Sequence, residues 1–204
     1  MRAIRIHDVG GPDVLRYEEV PDPEPGNDQA LVEIRAAGVN FVDTYQRRGQ
    51  YGRERPFIPG LEGAGTVVAV GGHVTAVEVG DRVAWARGTA SYAQYAALPG
   101  DELVPVPESI SMEQAAAVML QGMTAHYLSH STYPLGEGDS ALIHAAAGGV
   151  GHLLVQMAKR RGARVIGTCS TSEKAALARH FGADEMILYT QEDFREAVDR
   201  LTAG

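Results

Sequence analysis

The sequence predicts an α/β plus β fold, with a small, mostly β domain followed by the first half of a doubly wound parallel sheet. Short strand-like segments with glycine turns between them fill about the first 100 residues, as in a small β barrel. Residues 141–151 then read as a buried strand, a glycine turn and a helix start. Strand-like and helical segments alternate after that point, which is typical of a parallel sheet.

The elements of the first domain follow from alternation and from turn residues. Val32 and Ile34 alternate with Glu33 and Arg35, which indicates a half-buried strand. The prolines within residues 21–25 indicate an irregular loop, because proline removes ladder donors. The predicted strands are residues 2–7, 14–20, 29–37, 63–70, 81–86 and 91–98, and a short helix is predicted over residues 41–48.

The composition changes at Ser111, which we take as the start of the second domain. Residues 112–129 are rich in Ala, Met, Leu and Gln, and Ser111 with Gln114 resembles a capping box, so a helix is predicted. Gly122 leaves open whether this is one helix or two. The domains are therefore residues 1–110 and 111–204. Three methionines of this stretch are expected to fill the core: Met112, Met119 and Met123.

Three further strand and helix pairs are predicted in the second domain. The strands are residues 141–146, 164–169 and 185–189. Helices are predicted after the glycine turn, from the capping-box sequence at residues 170–173 through Phe181 with Gly182 as the stop, and after a cap at Thr190. They make one βαβαβ half of a dinucleotide fold, so we expect a truncated product or a piece of a longer sequence. The alternative is a complete small domain with a three-stranded sheet.

The glycine turn is the first candidate for a ligand site. Gly148, Gly149, Val150 and Gly151 lie between a predicted strand and a helix with apolar residues at helical spacing. This geometry suits a pyrophosphate, because the backbone comes close and the helix N-terminus faces the anion. Ala146 stands at the first glycine position of the dinucleotide-binding pattern. A strand-to-helix turn without a ligand therefore remains an alternative.

Composition excludes several classes of function. The net charge of −8 argues against nucleic acid as the main partner. Cys169 is the only cysteine, so no intramolecular disulfide can form and a reducing compartment is expected. No signal-peptide core and no apolar run long enough for a membrane span is found. We expect a soluble, cytoplasmic protein that does not bind membranes.

Six separated motifs carry a family resemblance. They are GVNFVDTY (38–45), RGQY (48–51), PGLEGAG (59–65), VGDRVA (79–84), LQGMTAHYL (120–128) and HAAAGGVG (144–151). In order and spacing they resemble the zinc-independent, zeta-crystallin-like quinone oxidoreductases of the medium-chain dehydrogenase/reductase superfamily. The resemblance implies a GroES-like β domain and a Rossmann NADP-binding domain whose second half is missing here, with homodimers at full length.

The same resemblance allows zinc to be tested. Zinc-dependent members of the superfamily carry a Cys and a His where this chain has Asn40 and Leu61, so that only Glu62 remains. One carboxylate and the distant Cys169 cannot supply a tetrahedral zinc site. No metal is therefore expected.

Cofactor choice is predicted from the end of the second parallel strand. An NAD site places an acid there to hold the ribose, whereas residues 168–170 read Thr, Cys and Ser. Ser170, Thr171 and Lys174 suit a 2′-phosphate instead, and the resemblance adds Tyr189. NADPH is therefore the predicted cofactor. A solvated Lys174 is the alternative.

The resemblance also implies the residues around the nicotinamide and the substrate. Catalytic roles fall to Asn40, Tyr45 and Tyr51, and cofactor contacts to Asn40, Asp43, Tyr51 and Thr124. From the residues alone, Asn40 and Asp43 could equally cap a short helix, and the tyrosines could be packing. His144 is expected to be a core histidine and Cys169 a buried structural thiol.

The predicted function is zinc-free reduction of quinones by NADPH. Two alternatives stay open at this point: reduction of α,β-unsaturated carbonyls, and an inactive NADPH-binding or structural protein. The sequence does not give the physiological substrate, the number of electrons per transfer or the oligomeric state.

Overall fold

The computed structural model describes residues 1–202. The chain divides into two compact units, the first Met1–Leu120 and the second beginning at Gln121. The predicted domain boundary after residue 110 remains a proposal, and helix α2 (Met112–Tyr127) runs across the point of division. Within residues 1–202, no helix is both long and apolar enough to cross a bilayer.

The first unit is built on a five-stranded antiparallel sheet. Its strand order is β6-β3-β4-β5-β7, from β3 (Gln29–Ala37), β4 (Gly63–Val70), β5 (Arg82–Trp85), β6 (Tyr95–Pro99) and β7 (Val104–Pro105). A separate hairpin pairs β1 (Arg2–Ile6) with β2 (Leu15–Glu19). Val32 and Val67 face a core that also buries Trp85, as the alternating pattern requires. The antiparallel, mostly β first half is confirmed.

One strand of this unit begins later than predicted. Residues 91–98 were expected to form a strand, but β6 starts at Tyr95. Ser91 instead accepts a hydrogen bond from the buried Trp85 Nε1 at 3.0 Å, and Tyr92 N donates to Pro59 O at 3.1 Å. These long-range bonds hold residues 91 and 92 in a loop, which is why their alternation is misleading.

The second unit holds a three-stranded parallel sheet in the order β10-β9-β8. Its strands are β8 (Ser140–Ile143), β9 (Arg164–Cys169) and β10 (Glu185–Leu188), and its further helices are α3 (Gly149–Arg160), α4 (Ser172–His180) and α5 (Phe194–Thr202). Helix α3 buries Gly151, Val155 and Ala158, which lie on one face. The central strand β9 is almost wholly buried, as its apolar run predicts. The first half of a doubly wound sheet is confirmed.

Three local predictions for this region are wrong or are now decided. Gly122 does not interrupt α2, which continues into a π-helical turn, Leu128–Thr132. Strand β8 ends at Ile143 and not at residue 146, because Ala145 takes a positive φ of 50° that no strand allows. Asp193 and not Thr190 caps α5, since its Oδ1 accepts from Arg195 N at 2.8 Å.

The methionines divide between core and surface. Met112 and Met119 pack against the buried alanines of α2 and β4, as predicted. Met123 is 52% exposed, so its assignment to the core is wrong. Met119 and Met123 lie one helical turn apart on α2, so similar burial would be expected for both. The exposure of the side chains increases along α2 within that turn, and Met123 faces solvent.

Candidate active site

The glycine turn of the second unit is shaped by two close approaches of the backbone. Gly148 is the N-cap of α3, and its N–H donates to Ala145 O at 2.7 Å. A Cβ at Gly151 would collide with Ala145 O, and one at Gly149 would collide with the Gln121 side chain. A side chain is therefore excluded at Gly151, where the obstacle is backbone, whereas one at Gly149 would require the flexible Gln121 side chain to move. Val150 between them is half-buried.

Ser170 and Lys174 lie together at the end of β9. The Lys174 Nζ donates to Ser170 Oγ at 3.2 Å, one helical turn back along the chain. Thr190 Oγ1 donates to Ser170 O at 2.9 Å, so the loop after β10 also holds Ser170 in place. Tyr189 follows β10, is half-exposed, and its N–H donates to Cys169 O at 3.2 Å. Ser170, Lys174 and Tyr189, which sequence reasoning connected only by pattern, are thus neighbours.

The beginning of α4 stabilises negative charge. Thr171 is the N-cap, and its Oγ1 accepts from Lys174 N at 3.3 Å. The backbone N–H of Glu173, and then the Thr171 hydroxyl, lower the pKa of the exposed Glu173 carboxyl. An anion is therefore favoured at this helix end, beside the Ser170 and Lys174 side chains.

Asn40 and Asp43, in the first unit, belong to a buried hydrogen-bond network. Asn40 precedes helix α1 (Phe41–Arg47), and its backbone N–H donates to Asp43 Oδ2 at 2.9 Å. The Asn40 side chain Nδ2 donates to Glu62 Oε1 at 2.7 Å. Tyr92 OH donates to Asp43 Oδ2 at 2.7 Å. Asp43 therefore does cap helix α1. The hydrogen bonds from Asn40 to Glu62 and from Tyr92 to Asp43 are additional, because a helix cap does not require them.

Burial in this network raises the pKa of Tyr92 well above the ordinary tyrosine value. Desolvation is the largest cause, and the hydrogen bond to Asp43 is the next. The Asp43 charge favours the neutral phenol because a phenolate beside it would be repelled. Tyr92 therefore stays a hydrogen-bond donor throughout the neutral and mildly alkaline range.

Stability is expected to depend on the Tyr92 proton at high pH. Because the folded protein keeps this proton to a higher pH than the unfolded chain does, its free energy of unfolding should fall as pH rises above about 10. The contribution of Tyr92 should stay well below about 1.4 kcal/mol per pH unit, since solvent screens a half-buried group. Urea unfolding of wild type and Tyr92→Phe between about pH 8 and about pH 11 measures it.

Tyr127→Phe is the matched control, because Tyr127 is half-exposed. It should retain the pH dependence of the wild type, whereas Tyr92→Phe should show a shallower decline. Equal declines in wild type and Tyr92→Phe would contradict the raised pKa.

Tyr45 and Tyr51 form part of a short aromatic row. Tyr45 and Tyr51 have ring centroids 6.0 Å apart at 60°, and Phe41 meets Tyr45 edge-on at 5.9 Å. Tyr51 is 57% exposed and Tyr45 is half-buried. Tyr45 therefore fits the alternative of half-buried packing, whereas Tyr51 touches its ring but stays largely exposed.

Comparisons with known proteins agree with this architecture. The family model described as "Alcohol dehydrogenase GroES-like domain" matches residues 26–108, and the one described as "Zinc-binding dehydrogenase" matches residues 149–204. A quinone oxidoreductase of Pseudomonas aeruginosa is 47% identical over 100% of this chain and 63% of its own length. The structure of Escherichia coli quinone oxidoreductase complexed with NADPH superposes with a TM-score of 0.97, at 40% identity, over 100% of this chain and 63% of that one.

The chain belongs to the medium-chain dehydrogenase/reductase superfamily, and over its whole length it is similar to quinone oxidoreductases. It spans just under two thirds of the length of the relatives that it matches. A 2-haloacrylate reductase from Burkholderia is also similar, at 43% identity over 98% of this chain and 62% of its own length.

The Glu62 carboxylate is occupied by two hydrogen bonds, which distinguishes it from a metal ligand. Its Oε1 accepts from Asn40 Nδ2 and its Oε2 from Leu120 N, both at 2.7 Å. Leu61 and Asn40 are poor zinc ligands where zinc-dependent members have His and Cys. Over residues 1–202, no three His, Cys, Asp or Glu side chains are grouped as a metal site. Absence of zinc nevertheless remains a prediction.

The remaining candidate residues are Thr124, His144 and Cys169. Thr124 is half-buried on α2, on the same helix face as Gln121, which touches the glycine turn. His144 lies in the turn after β8 and is exposed, so the prediction of a core histidine in a strand is wrong. Its Nδ1 lies 3.0 Å from Thr168 Oγ1, and its ring meets Phe194 edge-on. Cys169 is buried, as predicted.

Sequence reasoning missed three residues that the structure adds to these sites. Glu62 was considered only as the remainder of a zinc site, and Tyr92 and Gln121 were not considered. Glu62 lies 22 residues from Asn40, and Tyr92 lies 49 residues from Asp43. The only signal available was a carboxylate in an apolar, glycine-rich stretch, where burial demands partners.

Proposed function

We propose that this chain binds NADPH and reduces quinones with it, without zinc. The observation that carries the proposal is the contact between Lys174 Nζ and Ser170 Oγ at the end of β9, where residues 168–170 include no acid. A carboxylate at this point would repel a 2′-phosphate, whereas an ammonium and a hydroxyl bind one. Relatives solved with NADPH support the same choice.

In this proposal, two groups of residues in the second unit hold the phosphates of NADPH, one through side chains and one through backbone N–H groups. Ser170, Lys174 and the exposed Tyr189 would hold the 2′-phosphate and the adenosine. The first N–H groups of α3, at Gly149, Val150 and Gly151, would face the pyrophosphate, because helix-terminal N–H groups lack intrahelical partners. The fit of the turn is supported by its glycines, which carry no side chains of their own that would stand between the backbone and a phosphate.

The reduction itself needs little from the protein beyond placement. Bound NADPH supplies the hydride. Asn40, Asp43 and Thr124 are proposed to lie at the nicotinamide. The exposed ring of Tyr51 would contact the flat, electron-poor ring of the quinone. The Tyr51 hydroxyl would donate a hydrogen bond to the oxygen that gains charge, and the contact with Tyr45 would support its ring. A cytoplasmic location and a homodimer are part of the same proposal.

Reduction of an activated alkene is the second candidate function. The 2-haloacrylate reductase from Burkholderia is 43% identical, within the range of 36–47% of the quinone oxidoreductases, and such chemistry can use the same hydride donor. A third candidate is an NADPH-binding protein without turnover.

Steady-state oxidation of NADPH separates these candidates. With 1,4-naphthoquinone as acceptor we expect turnover, and with a 2-alkenal we expect kcat/KM at least about tenfold lower. The reverse ratio would favour the alkene reductase. Binding of NADPH, followed by its own fluorescence, without turnover of either acceptor would overturn the enzymatic proposal.

A further inference from the structure

Glu62 is a fully buried carboxylate without a cation beside it. Within residues 1–202, no Lys, Arg or His forms a salt bridge with it. Its charge is instead stabilised by the Asn40 side chain and the Leu120 backbone, and Gly38 packs so closely that a Cβ there would collide with Oε1. Burial of a carboxylate is unfavourable unless strong hydrogen bonds offset it. The side chain is therefore held in one place by two short bonds and tight packing.

Asp43 holds the other end of the same residue. Its Oδ2 accepts from the Asn40 backbone N–H at 2.9 Å and from Tyr92 OH at 2.7 Å. Within the described residues, Oδ1 is buried and has no hydrogen-bond partner. Tyr92 is thus the group that fixes the rotation of the Asp43 carboxylate, because it and Asn40 share one oxygen. Backbone and side chain of Asn40 are each tied to a different buried acid.

The direction of the Asn40 amide follows from these contacts. A carboxylate only accepts hydrogen bonds, so the amide must turn its NH₂ group toward Glu62. The carbonyl Oδ1 is consequently on the opposite end of the amide. The Asn40 side chain also accepts from the Asp43 backbone N–H in the capping box, so this end of the amide faces the helix that it caps.

We propose that Glu62 and Tyr92 are positioning residues that fix the direction of the Asn40 amide in the active site. Glu62 acts directly on the side chain, and Tyr92 acts through Asp43 on the backbone. This inference rests on the proposed function only for its kinetic consequence. The fixed amide itself is a property of the first unit.

Reversal of the hydrogen bond tests the role of Glu62. Asn40→Asp places a second carboxylate against Glu62, and we expect kcat to fall on the order of 10–100-fold. Adding Glu62→Gln supplies an amide donor to the new acid and keeps an acceptor for Leu120 N. The double variant should regain at least about tenfold in kcat over Asn40→Asp. No regain in the folded double variant would overturn the proposal.

Tyr92→Phe tests the second tie, with Tyr17→Phe, an exposed tyrosine, as the matched control. We expect kcat to fall by about three- to tenfold in Tyr92→Phe and not in the control. Affinity for 2′,5′-ADP, which carries no nicotinamide, should be unchanged in all variants. A parallel loss of 2′,5′-ADP binding would indicate a merely structural effect and contradict positioning.

A readout without turnover separates this inference from the proposed function. In ¹⁵N–¹H NMR spectra, the Asn40 side-chain amide should give two resolved protons with slow exchange, and Tyr92→Phe should shift them. If wild type oxidises no NADPH yet shows this signature, the proposed function fails and the fixed amide stands. If the Asn40 amide protons gave averaged, rapidly exchanging signals, the inference would be contradicted whatever the enzymatic activity.

Discussion

Gly151→Ala is expected to destabilise the protein and to remove most of its affinity for NADPH. The added Cβ would collide with Ala145 O and lie 2.8 Å from Ala146 Cα, both backbone atoms that cannot turn aside. Overpacking of this kind lowers the free energy of unfolding by about 1–3 kcal/mol. The displaced start of α3 should also weaken NADPH binding by about 100-fold, which corresponds to about 2.7 kcal/mol.

Urea unfolding and an NADPH titration measure the two effects. Gly136→Ala is the matched control in the same unit, because its Cβ would meet nothing closer than an Asp139 oxygen at 3.8 Å. It should leave both quantities close to those of the wild type. If Gly151→Ala matched the wild type as well, the close approach to Ala145 would not exist in the protein.

The second large effect is a change in cofactor preference. Ser170→Asp combined with Lys174→Ala replaces a hydroxyl and an ammonium by a carboxylate at the end of β9. Loss of charge-assisted bonds to a 2′-phosphate, worth about 1.5–3 kcal/mol, should weaken NADPH binding by about 10–100-fold. NADH should bind equally well or better, because an acid at this position accepts from a ribose hydroxyl.

The ratio of NADPH to NADH affinity is the quantity to compare. Arg179→Ala, in the last turn of the same helix, also removes one positive charge and should leave the ratio unchanged. If the double variant kept the ratio of the wild type, Ser170 and Lys174 would not be the phosphate site. The quinone proposal would then need a different cofactor contact.

Secondary structure was predicted best where patterns are long and bounded by turns. Strands β3, β4 and β9 begin and end at the predicted residues, because alternation or an apolar run stops at a polar or glycine residue. Strand β8 was predicted too long because Ala145 and Ala146 continue its apolar run. A positive φ at Ala145 is a demand of the glycine turn, and alanine does not reveal it.

The candidate site was predicted in parts. The pairing of Ser170 with Lys174 could be inferred from the sequence, because residues 168–170 include no acid and the two residues are close along the chain. For Asp43 the capping alternative is correct, because Oδ2 accepts from the Asn40 N–H, while its place at the nicotinamide stays a proposal. Tyr92 itself gave no local signal, because it lies in a loop that backbone hydrogen bonds to Ile4 and Pro59 hold near Asp43.

What the sequence determined by itself was the order of the elements, the family and the chemistry available at each position. Alternation, glycine spacing and the lack of acid at residues 168–170 are local properties, so they can be read without coordinates. Only the tertiary structure decided that Glu62 is an acceptor for Asn40 and Leu120 and that Tyr92 binds Asp43. The physical reason is burial: a buried polar group must find its partner wherever the chain brings one, and that distance along the chain leaves no pattern.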